Sequence, residues 1–186
     1  AGWNTNFPFP VEGKSFTDTF DENNTWFSSK ESHPYAQAKF MANQVVDKFI
    51  AKNPKLPFEI TTVSPVGVMG KSLSNREDST SGGLQYLIKN KIAPDAFVQM
   101  LFDENILFSL VDVKDVAKAI FKAATTTGIH GKDYLLSTES YKISDMNLML
   151  NQKEPKEKGK YVYKNDLAKK ELNMNFKPVK ECLNNF

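Results

Sequence analysis

Residues 106–126, ILFSLVDVKDVAKAIFKAATT, combine an apolar, β-branched run with a helical repeat that follows it at once. The run over 106–113 predicts a buried strand, because short segments rich in β-branched and aromatic residues are typical of strands. Apolar side chains then recur at three- and four-residue spacing, which predicts a helix over 114–126, and Asp115 in its first turn opposes the helix dipole favourably. A strand that runs directly into a helix is the unit from which α/β proteins are built.

The same alternation extends in both directions from this stretch. The patterns predict further helices over 35–51, 82–90, 144–150, 165–172 and 179–183, and further strands over 58–65, 132–138 and 161–163. Loops are expected over 66–81 and in the mixed-charge segment 151–160. We therefore expect an α/β fold with a mostly parallel sheet that includes strands 58–64 and 106–112, with helix 35–51 on one of its faces.

Composition argues against several classes of protein. The chain has 186 residues, 40% of them hydrophobic and 25% charged, as in ordinary globular proteins. The net charge of +2 is small and Arg76 is the one arginine, which argues against a nucleic-acid partner. No apolar run approaches the roughly 20 residues of a membrane span. A single cysteine, Cys182, fits a reducing compartment, and His33 and His130 lack metal-ligand spacing. We therefore expect a cytoplasmic protein without a metal site.

A tyrosine and a lysine four residues apart begin the helix 35–51, which Ser32 is expected to cap. Tyr35 and Lys39 would lie on one face of that helix. An ammonium group beside a phenol lowers the phenol's pKa from about 10 toward neutrality, so the tyrosine could protonate a carbonyl oxygen as hydride reaches the carbon. Chance alone supplies about 0.7 such pairs in this composition, so the spacing also fits an ordinary aromatic residue and a surface lysine.

The sequence around this pair resembles a known active-site helix. YAQAKFMAN is similar to the pattern Y-x-x-S-K-x-x-A-E of extended short-chain dehydrogenases/reductases, the NAD-dependent epimerase/dehydratase superfamily. Tyr35, Lys39 and Ala42 match the pattern, whereas Ala38 and Asn43 replace its serine and glutamate. In that family the tyrosine is the proton donor and the lysine holds the ribose of the nicotinamide cofactor.

Other stretches resemble the same family in the same order. The stretch TTVSPVGVMG is similar to the P-x-x-V-x-G that passes under the nicotinamide, matched by Pro65, Val68 and Gly70. SLVDVKDVAKAIFKA resembles V-H-V-x-D-V-A-x-A, with Asp112 where histidine is common. FDENNTW resembles the D-E-x-x-W of dihydroflavonol-reductase-like members, matched by Asp21, Glu22 and Trp26. The closing DLAKKELNMNFKPVKECL is loosely similar to the last helices of that branch.

The resemblance covers the C-terminal half of the family's fold. It implies a C-terminal part of a Rossmann-type parallel sheet plus a small substrate-binding subdomain. Residues 1–70 would be the remainder of the dinucleotide-binding domain with the active-site helix, and 71–186 mainly the substrate-binding region, with 106–126 returning to the Rossmann sheet. The chain has no G-x-G-x-x-G, so we expect the glycine-rich βαβ unit to precede Ala1. Ser81, before two glycines, is interpreted as a helix cap.

The resemblance also implies an activity. We expect an NAD(P)-dependent carbonyl or ketone reductase in which Tyr35 is the general acid and Lys39 lowers its pKa. Both would also contact the cofactor, and Pro65, Val66 and Val68 would flank the nicotinamide. The cofactor would be NAD or NADP, with NADP favoured, although the segment that selects between them would precede Ala1. The substrate would be a small carbonyl compound.

Two alternatives stay open. Nucleotide-sugar epimerases and dehydratases of the same superfamily usually have P-x-N-V-Y-G where this chain has Gly67 and Met69, which favours a reductase. A non-catalytic scaffold domain is the other alternative, supported by the departures at Ala38, Asn43 and Lys71. The sequence leaves substrate and oligomeric state open. The expected partners are a second copy in a homodimer or a missing N-terminal half, which would fill an unpaired sheet edge.

Overall fold

The computed structural model describes residues 15, 18–24, 28–30, 32–72 and 79–186, in which helices and strands alternate. The segment 1–14 and the matched Trp26 lie outside the described residues. In chain order the elements are α1 (Pro34–Lys52), β1 (Thr62–Pro65), β2 (Gly67–Met69), α2 (Thr80–Asn90), α3 (Ala96–Asp103), β3 (Leu107–Asp112), α4 (Val113–Thr125), β4 (Asp133–Leu136), β5 (Glu139–Lys142), α5 (Ile143–Leu150), α6 (Asp166–Glu171) and α7 (Val179–Asn184).

The predicted alternation of helices and strands is confirmed, with a few differences in detail. Three elements were missed: β2 lies within the predicted loop, α3 within a stretch with no prediction, and β5 next to β4. Strands of three or four residues are too short to show a two-residue period, and α3 is apolar on most of its surface. The strand predicted over 161–163 is wrong, because among these three residues Tyr163 alone forms a bridge, an isolated one with Phe20.

The strands form two small sheets. In the first, β1 pairs in parallel with β4, from Thr62 opposite Asp133 to Pro65 opposite Leu136. In the second, β3 lies between β2, which is parallel to it, and β5, which is antiparallel. The chain passes from the first sheet to the second at Val66. The expectation that β1 and β3 share a sheet is therefore wrong, because β3 pairs with β2, the continuation of β1.

Helices pack on these sheets around separate apolar clusters. The cluster over β1 and β4 takes its residues mainly from α4, α6 and the strands beneath them: Val111, Val116, Ala119, Ala123, Ile129, Tyr134, Leu136, Ala168, Leu172 and Met174. A larger cluster joins the second sheet to α2, α3, α5 and α7. Parallel strands covered by helices are the α/β architecture that the sequence predicts. None of the described helices is long and apolar enough to cross a membrane.

Candidate functional site

The candidate site begins at the first turn of α1. The His33 imidazole caps this helix by accepting a hydrogen bond from the Tyr35 N–H (3.2 Å), and Pro34 occupies the first turn, where a missing N–H costs nothing. Ser32, the expected cap, is instead buried and accepts a hydrogen bond from the Ser29 N–H (3.0 Å). The helix therefore has its N-cap at His33, one residue later than the predicted cap at Ser32.

The structure brings Tyr35 and Lys39 together, as their spacing predicts. The Lys39 Nζ lies 5.5 Å from the centroid of the Tyr35 ring, within reach of a cation–π interaction. Both side chains are exposed, and Tyr35 has 62% of its surface open to solvent. Neither makes a hydrogen bond to another described residue. The phenol and the ammonium are thus adjacent and available for a ligand, and no described element covers them.

The surroundings of α1 decide which way this pair faces. Ala36 is a buried residue of α1. Asp47 lies on the same side of the helix, and its charge helps to raise the pKa of the Asp133 carboxyl group in β4. The Gln37 amide donates hydrogen bonds to the carbonyl oxygens of Lys30 (3.2 Å) and Ser32 (2.6 Å). Ala36 and Asp47 therefore mark the side of α1 that faces the first sheet.

Helical geometry then places the two flanks of α1. A right-handed α/β unit brings α1 back antiparallel to β1, and successive helical residues turn by about 100°. In that arrangement Gln37 would lie on one flank of α1, and Tyr35 and Lys39 would lie on the opposite flank, toward the outer edge of β1. An antiparallel α1 would bring its first turn to the carboxyl end of β1, where ligands of open α/β sheets bind.

The three residues expected beside a nicotinamide lie where β1 passes into β2. Pro65 ends β1 and has no N–H to donate. The Val66 N–H donates to the Leu136 carbonyl oxygen (3.0 Å), and the Val68 carbonyl oxygen accepts a hydrogen bond from the Ser81 hydroxyl. The side chains of Val66 and Val68 pack on the cluster beneath α4, on the sheet face opposite α1. Any contact of these two valines with a ligand on the α1 side would therefore involve their backbone.

A buried glutamine, which the sequence analysis missed, fastens α2 to the end of β2. The Gln85 side chain is fully buried; its Oε1 accepts from the Gly70 N–H (3.1 Å), and its Nε2 donates to the carbonyl oxygens of Gly70 (3.3 Å) and Ser81 (3.2 Å). Ser81 was predicted to cap α2, but Ser79 does so, with its hydroxyl accepting from Gly82 N–H (3.3 Å). The only sequence signal for these hydrogen bonds was the position of Gln85, a polar residue among apolar ones.

Gly67 lies against an aromatic ring of the neighbouring strand. A Cβ at this position would lie 2.3 Å from Cε1 of Phe108 and 2.8 Å from the carbonyl oxygen of Ser109. These distances are shorter than carbon contacts in folded proteins, so an asparagine fits here only if β2 and Phe108 move apart. The glycine that distinguishes this chain from the epimerase pattern is thus required by the packing of β2 on β3.

The aspartates of the VDVKDVA stretch stabilise the fold locally. Asp112 is buried at the N-terminus of α4, where its carboxylate accepts a hydrogen bond from the Lys114 N–H (2.6 Å). Asp115 accepts from the Lys177 N–H (2.8 Å), and burial raises the pKa of its carboxyl group. Both carboxylates are therefore engaged with backbone N–H groups rather than with a ligand.

A group of carboxylates lies between α1 and the first sheet. Burial, with the charges of Asp47 and Glu22, raises the pKa of Asp133 to about 6, and the Thr62 hydroxyl donates a hydrogen bond to it. Burial likewise raises the pKa of Glu22, which accepts a hydrogen bond from the Leu135 N–H (2.9 Å). In the described part of the chain, no three His, Cys, Asp or Glu residues are arranged to hold a metal ion.

Comparison with protein families identifies the chain. The family described as NAD dependent epimerase/dehydratase matches residues 11–137, more than half of the sequence. The chain belongs to this family. The resemblance inferred from the sequence is thereby confirmed at the level of the superfamily. No curated protein matches the chain closely enough to add to this assignment.

Several solved structures share the fold of this chain. Yeast methylglyoxal/isovaleraldehyde reductase Gre2, complexed with NADPH, superposes on 91% of the chain with a TM-score of 0.69 at 22% identity. Gre2 from Candida albicans superposes on 92% with a TM-score of 0.69 at 17% identity. UDP-glucose-4-epimerase from Stenotrophomonas maltophila, with bound NAD, superposes on 91% with a TM-score of 0.65 at 12% identity.

The chain spans little more than half the length of these relatives. The superposed part is 57% of each of the two Gre2 chains and 58% of the epimerase. The likeness therefore establishes a partial Rossmann-type fold, as the sequence predicts. At these identities it establishes the fold alone.

Proposed function

We propose that the chain forms part of an NAD(P)-dependent reductase of small carbonyl compounds, with Tyr35 as the general acid. The observation that carries the proposal is the pairing of Tyr35 and Lys39 in the first turns of α1, in a member of the NAD dependent epimerase/dehydratase family. Both side chains are exposed on the surface of α1. They have no competing partner among the described residues, so the cofactor and the substrate carbonyl can reach them.

The residues present fit one end of a nicotinamide cofactor. The Lys39 ammonium would donate hydrogen bonds to ribose hydroxyls, and the backbone at Pro65 and Val66 would border the nicotinamide. A nicotinamide supplies or accepts the hydride when bound. The described residues provide no glycine-rich strand-to-helix turn for the pyrophosphate, so this chain would hold the nicotinamide and ribose end.

The proton transfer depends on the two α1 side chains. Tyr35 would donate its phenolic proton to the carbonyl oxygen of the substrate as that oxygen gains negative charge. Lys39, one turn further along, would stabilise the resulting phenolate, because an adjacent ammonium favours the charged form of a phenol. We propose NADP rather than NAD as the cofactor; the NADPH bound to Gre2 supports this choice.

Replacing the proposed acid tests this function. In the full-length protein that carries this chain, Tyr35→Phe should lower NADPH-dependent reduction of small aldehydes by roughly 10²- to 10⁴-fold while cofactor binding is retained. Tyr161→Phe is the matched control, since Tyr161 is equally exposed, at 63%, but distant from the pair in sequence. An unchanged rate in Tyr35→Phe would favour a non-catalytic scaffold, which the departures at Ala38 and Asn43 would then explain.

Nucleotide-sugar epimerisation is the second candidate, supported by the structural likeness to UDP-glucose-4-epimerase. Gly67 and Met69 argue against it, because they replace the asparagine and tyrosine of the epimerase pattern, and a Cβ at position 67 would meet Phe108 unless that ring moved. Assaying the full-length protein in parallel with aldehydes and with UDP-sugars separates the two. Turnover of UDP-sugars alone would reverse our proposal.

A further inference from the structure

One glutamine side chain bonds to the chain directly after β2 in the way that a neighbouring strand would. The pairing of β2 with β3 ends at Met69. One residue later, both backbone groups of Gly70 bond to Gln85: its Oε1 accepts from the Gly70 N–H (3.1 Å), and its Nε2 donates to the Gly70 carbonyl oxygen (3.3 Å). Residues of paired antiparallel strands exchange the same two bonds. Gln85 therefore sets the position of Gly70.

The burial of Gln85 indicates that these bonds, rather than packing, account for its polar side chain. Gln85 is fully buried, and its Nε2 also donates to the Ser81 carbonyl oxygen (3.2 Å), so the oxygen and the nitrogen of the amide are both bonded inside the protein. Burying an amide costs free energy that its hydrogen bonds offset, whereas an apolar residue, such as the buried Ile88 of the same helix, stabilises by packing alone. The glutamine is therefore suited to holding Gly70 rather than to strengthening the core.

Ser81 adds a second bond from the same helix. Its hydroxyl donates to the Val68 carbonyl oxygen, and its Oγ lies 3.8 Å from the Met69 Sδ. Because Ser81 and Gln85 are four residues apart, they lie on one face of α2. This face of α2 is thus bonded to the backbone at two positions, Val68 and Gly70.

Gly70 needs such a partner because its own backbone has unusual freedom. Its φ of +126° lies in a region where other residues are strained, and a Cβ there would lie 3.1 Å from Cγ1 of Val113. Glycine has more conformational freedom than any other residue. Without the Gln85 amide, the chain would be least constrained directly after β2, and among the described residues only the Ser81 side chain would still join α2 to β2 by hydrogen bonds.

We infer that Gln85 is a positioning residue for the nicotinamide cofactor, because it holds the end of β2 so that the backbone from Pro65 to Val68 stays in place beside the nicotinamide ring. The inference rests on the proposed function, in which Pro65, Val66 and Val68 flank that ring. Gln85 itself does not touch the cofactor, since its amide is buried and bonded to Gly70 and Ser81. It acts on the binding of the ring, and proton transfer stays with Tyr35.

Isothermal titration calorimetry on the full-length protein that carries this chain tests this role without turnover. Gln85→Met keeps the length of the side chain and removes its hydrogen bonds. At a temperature where circular dichroism shows the variant to be folded, we expect it to bind NADP about tenfold more weakly, which corresponds to about 1.4 kcal/mol. Its affinity for phosphorylated ADP-ribose, which is NADP without the nicotinamide, should stay unchanged, because the segment after β1 borders only the ring.

Gln99→Met is the matched control. Gln99 is exposed on α3, and its Nε2 donates to the Asp103 carboxylate (2.8 Å) rather than to β2. This variant should bind NADP and phosphorylated ADP-ribose as the wild type does.

Gln85→Glu adds a pH-dependent readout. A neutral carboxyl group keeps one acceptor and one donor for Gly70, whereas an ionised one has no donor and faces the carbonyl oxygens of Gly70 and Ser81. Burial favours the neutral form at mildly acidic pH. We therefore expect the NADP affinity of Gln85→Glu to approach that of the wild type at about pH 5.5 and to fall below it at about pH 8.

If Gln85→Met does not fold, Ser81→Ala tests the same inference, because Ser81 is only half-buried and its hydroxyl bonds directly to the Val68 backbone. It should weaken the binding of NADP and leave that of phosphorylated ADP-ribose unchanged. Unchanged NADP affinity in a folded Gln85→Met, or an equal loss for both ligands, would overturn the inference and leave Gln85 a purely structural residue. The proposed function fails separately, since unchanged reduction by Tyr35→Phe contradicts it whatever the calorimetry shows.

Discussion

Asp133→Asn should stabilise the protein at neutral pH, because it removes a charge that the fold holds out of water. Asp133 begins β4 and faces α1, where Asp47 and Glu22 are its charged neighbours. An asparagine has nearly the same shape, and its amide oxygen can still accept the hydrogen bond from Thr62. The substitution therefore removes the charge and leaves the packing in place.

The magnitude follows from the pKa of the carboxyl group. Burial, followed by the charges of Asp47 and Glu22, raises the pKa of Asp133 from 3.8 to about 6. At about 1.4 kcal/mol per unit, this shift corresponds to at most roughly 3 kcal/mol, and partial solvent access reduces our expectation to about 1–2 kcal/mol. A carboxyl group with a raised pKa in the folded state destabilises the fold when it ionises. The loss of folding free energy from ionised Asp133 is absent below pH 4, grows between pH 4 and pH 6, and is constant above pH 6.

Urea unfolding of the wild type and Asp133→Asn from pH 4 to pH 8 measures this effect. We expect equal free energies of unfolding near pH 4, and an advantage for the variant that grows to about 1–2 kcal/mol by pH 7. Asp103→Asn, at an exposed position of α3, is the control and should show no such pH-dependent gain. A variant that is less stable at pH 7, or a difference that does not change with pH, would refute the reasoning.

Three further predictions concern buried or tightly packed residues. Gln85→Leu should lower the free energy of unfolding by about 2–4 kcal/mol in urea titrations, because it leaves buried backbone groups unbonded, whereas the exposed Gln99→Leu should change it little. Gly67→Asn should lower the melting temperature, and adding Phe108→Ala should recover part of the loss; no recovery would contradict the close contact. Burial raises the pKa of the Cys182 thiol to about 12, so a thiol reagent should modify it at neutral pH only after denaturant is added, and rapid labelling of the folded protein would contradict this assignment.

The sequence by itself determined the local structure and the family. The period of the apolar residues in 35–51 and 114–126 is set within single elements, and α1 and α4 form there to within a residue or two. The pairing of Tyr35 with Lys39 is likewise local, because the two residues are one helical turn apart and their proximity requires only that the helix forms.

Tertiary structure alone decided which elements meet. The pairing of β1 with β4 rather than β3 depends on strands about 70 residues apart, and no pattern within either strand selects its partner. The same holds for the hydrogen bonds between Gln85 and Gly70 and for the hydrogen bond that Glu22 accepts from the Leu135 N–H in β4. These features arise from contacts between residues that are distant in sequence. The spacing of apolar and polar residues within one element does not determine the free energies of such contacts.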